Sequence, residues 1–111
     1  MLEKLYNNCL EYKLDNIEVP NSLITNFKLK EDLQVVFKDN KGWVFDYHNS
    51  VLYNLNQVAS LFVYMTQKGH LYKECVALIS NYYKIPVPRV DSDLQSLINN
   101  MLKYELLILG K

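Results

Sequence analysis

The chain has 111 residues, of which half are hydrophobic and 22% are charged, so its length and composition predict one folded domain. Its 12 Lys and Arg residues balance 12 Asp and Glu residues, and a net charge of zero gives no long-range attraction to phosphates, which argues against nucleic-acid binding. No apolar run reaches the ~20 residues of a membrane span and no signal-peptide pattern opens the chain, so we expect a cytoplasmic protein without a membrane contact.

Glycine and cysteine are both scarce. With 3 Gly residues the chain has no phosphate-cradling loop of the Walker or Rossmann type, which excludes most nucleotide enzymes. Neither Cys9 nor Cys75 has another Cys or a His at the spacing of zinc ligands, so we expect reduced thiols and no metal site. No cofactor is predicted.

The first 30 residues differ from those that follow. Apolar residues at helical spacing indicate a short amphipathic helix that ends before Pro20, and an extended piece around residues 24–29 follows it. We therefore divide the chain into an N-terminal extension, residues 1–30, and a domain, residues 31–111.

The apolar pattern changes to a period of two at Leu33. Strands are predicted over Leu33–Lys38, over residues 43–48 and over Val51–Leu55. A turn cluster at residues 39–42, whose Gly42 can supply a positive φ, joins the first two strands, and a second tight turn joins the last two. The pattern is typical of a three-stranded antiparallel meander.

Three aromatic residues, Trp43, Phe45 and Tyr47, share one face of the middle strand. Such a row of rings can stack on bases in single-strand binders, but no basic residues interleave with these rings. We therefore expect them to pack in the core.

Three helices follow the strands. The first begins at the N-cap Asn56 and stops at Gly69, the second spans residues 71–83, and the third begins near Pro88. The apolar tail at residues 106–109 either continues the third helix or returns as a short strand. Because a meander buries only one face, the helices must cover it, and the fold class is α+β.

No residue set predicts catalysis. On an alternating strand His48 lies on the same side as Asp46, but no Ser or Cys accompanies them at a useful spacing. Asp91 and Asp93 stand two apart on a helix and face different directions. Cys75 occupies an inward helical position, where apolar surroundings raise a thiol's pKa and favour a structural role.

One structural feature does indicate a function. If the third strand, Val51–Leu55, lies at the edge of the sheet, its free N–H and C=O groups form a template for an added strand. A peptide could then be bound by strand addition.

The stretch from about residue 33 to residue 107 resembles the PqqD-like family, the small winged-helix-like domains known as RiPP precursor peptide recognition elements. The junction Tyr53-Asn54-Leu55-Asn56 resembles the family's strand-to-helix junction, and Gly69 with Glu74 resembles the opening of its second helix. Further matching positions are Ala59, Leu71, Tyr83, Pro86, Asp93, Leu97 and Leu102.

The resemblance implies a non-catalytic adaptor that binds the leader region of a ribosomally made precursor peptide. In the family the leader adds as an antiparallel strand beside the third strand, packs against the third helix, and is presented to a separate tailoring enzyme, such as a radical S-adenosylmethionine enzyme or a leader protease. Carried over, the peptide-binding residues are the backbone of Val51, Leu52, Tyr53 and Asn54 and the helical side chains of Leu94, Leu97, Ile98 and Met101. At least half of the four helical residues are expected to belong to the core.

Two other functional classes stay open at this point, a DNA-binding regulator and a small enzyme, and a small enzyme would need a convergent set of polar residues that no pairing above supplies. A winged-helix DNA-binding transcriptional regulator has similar elements, but the third helix carries Arg89 and Lys103 against three acidic residues, Asp91, Asp93 and Glu105. An exposed strand edge can also pair with another copy, so a homodimer is possible. The precursor, its modification, the partner enzyme and the role of residues 1–30 are not specified by the sequence.

Overall fold

The structure is a computed structural model that describes Leu2, Lys4, Leu5 and residues 27–109. Residues 27–109 contain five strands and three helices. The strands are β1 (Phe27–Leu29), β2 (Leu33–Lys38), β3 (Lys41–Asp46), β4 (Val51–Leu55) and β5 (Leu107–Leu109). The helices are α1 (Gln57–Gln67), α2 (Tyr72–Tyr83) and α3 (Val87–Lys103).

Strands β2, β3 and β4 form a three-stranded antiparallel sheet in that order. The register runs from Leu33 opposite Asp46 to Lys38 opposite Lys41 in the first hairpin, and β4 pairs with β3 from Asp46 to Gly42. The three helices follow this sheet along the chain. The predicted α+β fold, a meander followed by three helices, is confirmed.

The turn between β2 and β3 differs from the prediction in one respect. Asp39 and Asn40 take the positive φ values, 53° and 67°, while Gly42 lies inside β3. Asp and Asn tolerate the left-handed region because their side chains bond locally. Gly42 is required for space instead, since a Cβ there would lie 2.9 Å from Phe37 Cε1.

A second sheet pairs the two ends of the described segment. β1 and β5 are antiparallel, with Leu29 opposite Leu107, so the apolar tail returns as a strand. The chain leaves α3 through Glu105, whose φ is 59°, and Leu106 N–H then donates to Met101 O at 2.7 Å. β1 falls in the predicted extension, close to the extended piece expected there.

The rest of the predicted extension is described at three positions only. Leu2, Lys4 and Leu5 have helical backbone, as the apolar spacing predicts, and Leu2 is buried in the core. The remainder of that predicted helix, with Cys9, lies outside the described residues.

The core lies between the sheet and the helices. Asn56 caps α1 as predicted, because its Oδ1 accepts a hydrogen bond from Ala59 N–H at 2.8 Å. α1 buries most of its apolar side chains, with Leu61, Phe62 and Met65 completely buried, and α2 and α3 add Ile79 and Leu94. None of the described helices combines the length and the apolarity needed to cross a membrane.

The aromatic face of β3 lies on the opposite side from the prediction. Val44 and Asp46 point to the helices and are buried, whereas Trp43 and Phe45 are half-buried and Tyr47 is exposed on the other side. The expectation that these rings pack in the core is wrong, because alternation fixes which residues share a face but not which face the helices cover.

Candidate functional site

β4 is an edge strand of the three-stranded sheet. Within residues 27–109 no strand pairs with its outer side. Its side chains are also accessible, since Leu52 is 58% exposed and Val51 is 37% exposed. The structure therefore places the predicted strand at a sheet edge that could accept another strand.

The register decides which backbone groups of β4 face outwards. The two-residue turn at Asp39 and Asn40 makes Lys38 and Lys41 a hydrogen-bonded pair, and such pairs alternate along an antiparallel ladder. Along β3, residues that hydrogen-bond to β2 therefore alternate with residues that hydrogen-bond to β4. Val44 bonds towards β4, opposite Tyr53.

The four predicted backbone positions consequently divide into two pairs. Val51 and Tyr53 direct their N–H and C=O groups to β3, while Leu52 and Asn54 direct theirs away from the sheet. The side chains alternate as well: Val51 and Tyr53 lie on the side of the helices, and Leu52 and Asn54 lie on the other side. Only Leu52 and Asn54 offer free backbone groups to an added strand.

Two hollows lie along α3, and together they are named here the groove. The Tyr104 hollow, of about 530 Å³, lies between the start of β4 and the end of α3 and is lined by Asn49, Val51, Tyr53, Lys103, Tyr104 and Glu105. The Leu97 hollow, of about 390 Å³, lies beyond the end of β4, between the start of α1 and α3, and is lined by Asn56, Val58, Ala59, Asp93, Leu94, Ser96 and Leu97. The end of α3 thus faces the start of β4, so the helix and the strand run in opposite directions along the groove.

Tyr104 is one of two tyrosines that line the Tyr104 hollow, together with Tyr53. Its ring centroid lies 5.8 Å from that of Tyr53, and Lys103 Nζ lies 5.9 Å from the Tyr104 centroid. Tyr104 is 50% exposed, so one face of its ring is open to a ligand. The sequence analysis missed this residue, although it stands seven positions after Leu97 and so falls on the same side of the helix.

The four predicted helical residues take two different positions. Leu94, Ile98 and Met101 are buried in the core, and Leu97 is half-buried at the groove. Leu94 also contributes to the wall of the Leu97 hollow. The expectation that at least half of them are core residues is confirmed.

Asp46 shapes the turn that leads into β4. Its carboxylate accepts hydrogen bonds from His48 N–H at 3.0 Å and from Asn49 Nδ2 at 2.8 Å. These bonds, above all the one from the Asn49 side chain, lower the pKa of Asp46. The His48 ring instead lies 3.1 Å from the carboxylate of Asp32, so His48 contacts Asp46 through its backbone and not through its ring.

The other titratable candidates serve the core. Burial raises the pKa of the Cys75 thiol, as predicted for an inward helical position. Asp91 accepts a hydrogen bond from the Tyr72 hydroxyl at 2.5 Å, and burial raises the pKa of that hydroxyl. Among the residues that the structure describes, no three His, Cys, Asp or Glu side chains lie close enough to hold a metal ion.

No family model and no curated protein matches this sequence. Among solved structures the chain is similar to TbiB1 in complex with the TbiA(beta) leader peptide, with a TM-score of 0.69 and 21% sequence identity. The match covers 72% of this chain and 93% of that chain. The two proteins share a fold.

Proposed function

We propose that this protein is a non-catalytic adaptor that binds the leader region of a ribosomally synthesised precursor peptide by strand addition at β4. The observation that carries the proposal is the open edge of β4 beside a groove whose lining combines apolar side chains, such as Leu97 and Tyr104, with polar ones. The edge supplies hydrogen-bonding groups of fixed spacing, and the groove supplies apolar contacts for alternate side chains. TbiB1, which shares the fold, was solved with a leader peptide bound, and this supports the choice of ligand.

The proposed complex has a defined geometry. An antiparallel strand beside β4 bonds to the N–H and C=O groups of Leu52 and Asn54. Every second side chain of the peptide then points to the helices, as Val51 and Tyr53 do, and enters the groove. The N-terminal part of the bound segment lies at the Leu97 hollow and its C-terminal part at the Tyr104 hollow.

The adaptor role extends this proposal to a partner. We propose that residues 31–111 form a PqqD-like, winged-helix-like recognition domain in natural-product biosynthesis. It presents the precursor, in the cytoplasm, to a separate tailoring enzyme such as a radical S-adenosylmethionine enzyme or a leader protease. Of the eight predicted binding residues, Leu97 contributes its side chain to the groove wall, while Ile98 and Met101 support the helix from the core.

Titration with candidate leader peptides tests the binding. The peptides are those encoded by short reading frames beside the gene, and isothermal titration calorimetry gives the dissociation constant. We expect at least one of them to bind in the micromolar range or tighter. Failure of every peptide at ~100 µM, a concentration equivalent to about −5.5 kcal/mol, would count decisively against the proposal.

Two substitutions at one position then test strand addition. Leu52→Pro removes an outward N–H and leaves the ladder to β3 intact, whereas Leu52→Ala shortens the side chain and keeps the N–H. A lost hydrogen bond with its partner left unsatisfied costs about 1–3 kcal/mol. We therefore expect Leu52→Pro to weaken binding ~10-fold or more, and Leu52→Ala to retain most of the affinity. Equal losses in both variants would show that the backbone of β4 is not used.

A further inference from the structure

The outer face of the three-stranded sheet, on the side away from the helices, is apolar. We define it by Val36, Trp43, Phe45, Tyr47 and Leu52. Val36 is 47% exposed and Tyr47 is 56% exposed, in addition to Leu52. No element of the described chain covers these side chains. Their exposed area is on the order of 400 Å², which is within the range of the largest apolar patch on a soluble monomer, a patch that is often functional.

The outer face has a fixed shape. The rings of Phe45 and Tyr47 meet edge to face, with centroids 4.9 Å apart, and the Tyr47 hydroxyl donates a hydrogen bond to the side chain of Gln34. The neighbours across the strands are Val36 opposite Trp43 and Leu52 opposite Phe45. The rings and aliphatic groups therefore form a pre-ordered surface, so ordering them costs little on binding.

Charges lie at the two ends of the outer face and have opposite sign. Lys38 and Lys41 are direct neighbours across β2 and β3 at one end. Asp32 lies in the turn before β2 at the other end, where its carboxylate is 3.1 Å from the His48 ring and its side chain is 59% exposed. At ~3.3 Å per residue, Asp32 and Lys38 are about 20 Å apart.

We propose that the outer face binds the same face of a second copy of this chain. A two-fold axis that lies between the sheets, perpendicular to the strands, stacks the two apolar centres and reverses the strand direction. Lys38 and Lys41 of each copy then lie over the Asp32 end of the other. The apolar area and the charge arrangement are thus both self-complementary, as an isologous interface requires.

The size of the face sets the strength of the dimer. Three strands about 4.8 Å apart and ~20 Å long present roughly 290 Å² of flat sheet per copy, and the exposed side chains raise this to about 400 Å². The dimer therefore buries about 800 Å² in total, which is the size of a weak, transient interface, and its dissociation constant is on the order of 100 µM. This inference is independent of peptide binding, because face-to-face packing leaves the outward backbone groups of β4 and the groove accessible.

Analytical ultracentrifugation of the full chain from ~1 to ~500 µM tests the dimer. Trp43 is the single tryptophan of the sequence, so its fluorescence emission reports on burial of the outer face. We expect reversible dimerisation with a blue shift of emission. Val36→Lys should raise the dissociation constant at least 10-fold, while the matched control Ser92→Lys, an exposed position on α3, should leave it unchanged.

Exchanging the charges at the two ends of the outer face tests the direction of packing and leaves the apolar side chains of the face unchanged. Lys38→Glu should weaken the dimer about fivefold, and the double variant Lys38→Glu, Asp32→Lys should restore it. A chain that stays monomeric at ~500 µM overturns the proposal. So does a dimer that is insensitive to Val36→Lys, or one that Leu52→Pro abolishes while Val36→Lys does not, since those results indicate pairing through the strand edge.

Discussion

Ser60 is the polar link between the sheet and the first helix, and its removal should be costly. The side chain is completely buried. Its Oγ accepts a hydrogen bond from Gly42 N–H at 2.6 Å and donates one to Leu55 O at 3.3 Å, so it ties α1 to β3 and to the end of β4. Ser60→Ala removes the acceptor of the Gly42 N–H and the hydroxyl donor of Leu55 O. A buried donor that loses its acceptor in this way costs about 1–3 kcal/mol.

Urea unfolding followed by circular dichroism measures this cost. With a slope of about 1–3 kcal/mol/M, the midpoint should fall by ~1 M, and the melting temperature by roughly 4 °C for each kcal/mol lost. Alanine is a better helix former than serine by a few tenths of a kcal/mol. Ser92→Ala, at an exposed position of α3, serves as the control for that gain. If the two variants have the same stability to within ~0.3 kcal/mol, the buried link contributes nothing and the reasoning fails.

Three further predictions concern pH and the groove. Because burial raises the pKa of Cys75 above its ordinary value of 9.0, the unfolded chain releases a proton that the native protein keeps. Stability should therefore fall as the pH rises above about 9, and Cys75→Ala should reduce this slope in urea unfolding at pH 8–10. Hydrogen bonds lower the pKa of Asp46 below 3.8. The stabilisation that the ionised carboxylate supplies should therefore be lost as the pH falls below that value. Asp46→Asn should make stability, measured by circular dichroism, less dependent on pH in this acid range. Tyr104→Ala should weaken leader binding about 2–10-fold in calorimetry, with an unchanged melting temperature, because one open ring face is lost; an unaltered affinity would place the peptide elsewhere.

The parts of the fold that the sequence predicted well are those with local causes. α1 follows from the cap at Asn56, a repeat of apolar residues and the stop at Gly69, whose φ is 90°. The hairpins follow from alternation and turn residues. All of these signals operate within a few residues of chain, where periodicity and capping act directly.

The features that the sequence did not predict depend on contacts between distant residues. The choice of the inner sheet face required knowing that Val44, and not Trp43, meets the helices. The burial of Tyr72 was not predicted. Its hydroxyl donates a hydrogen bond to Asp91, which lies 19 positions away along the chain, and no local pattern shows this contact. The groove position of Tyr104 depends on Tyr53 in β4, which no local pattern connects to the end of α3.

The pairing of β1 with β5 brings the two ends of the described segment side by side, with Phe27 opposite Leu109. A short linker between these two positions could therefore close the segment without stretching it. New ends could be opened at the turn of Asp39 and Asn40, which joins β2 to β3 and is not part of the β4 edge. The fold is accordingly a good candidate for circular permutation, which would change the order of the elements along the chain and keep their arrangement around the groove.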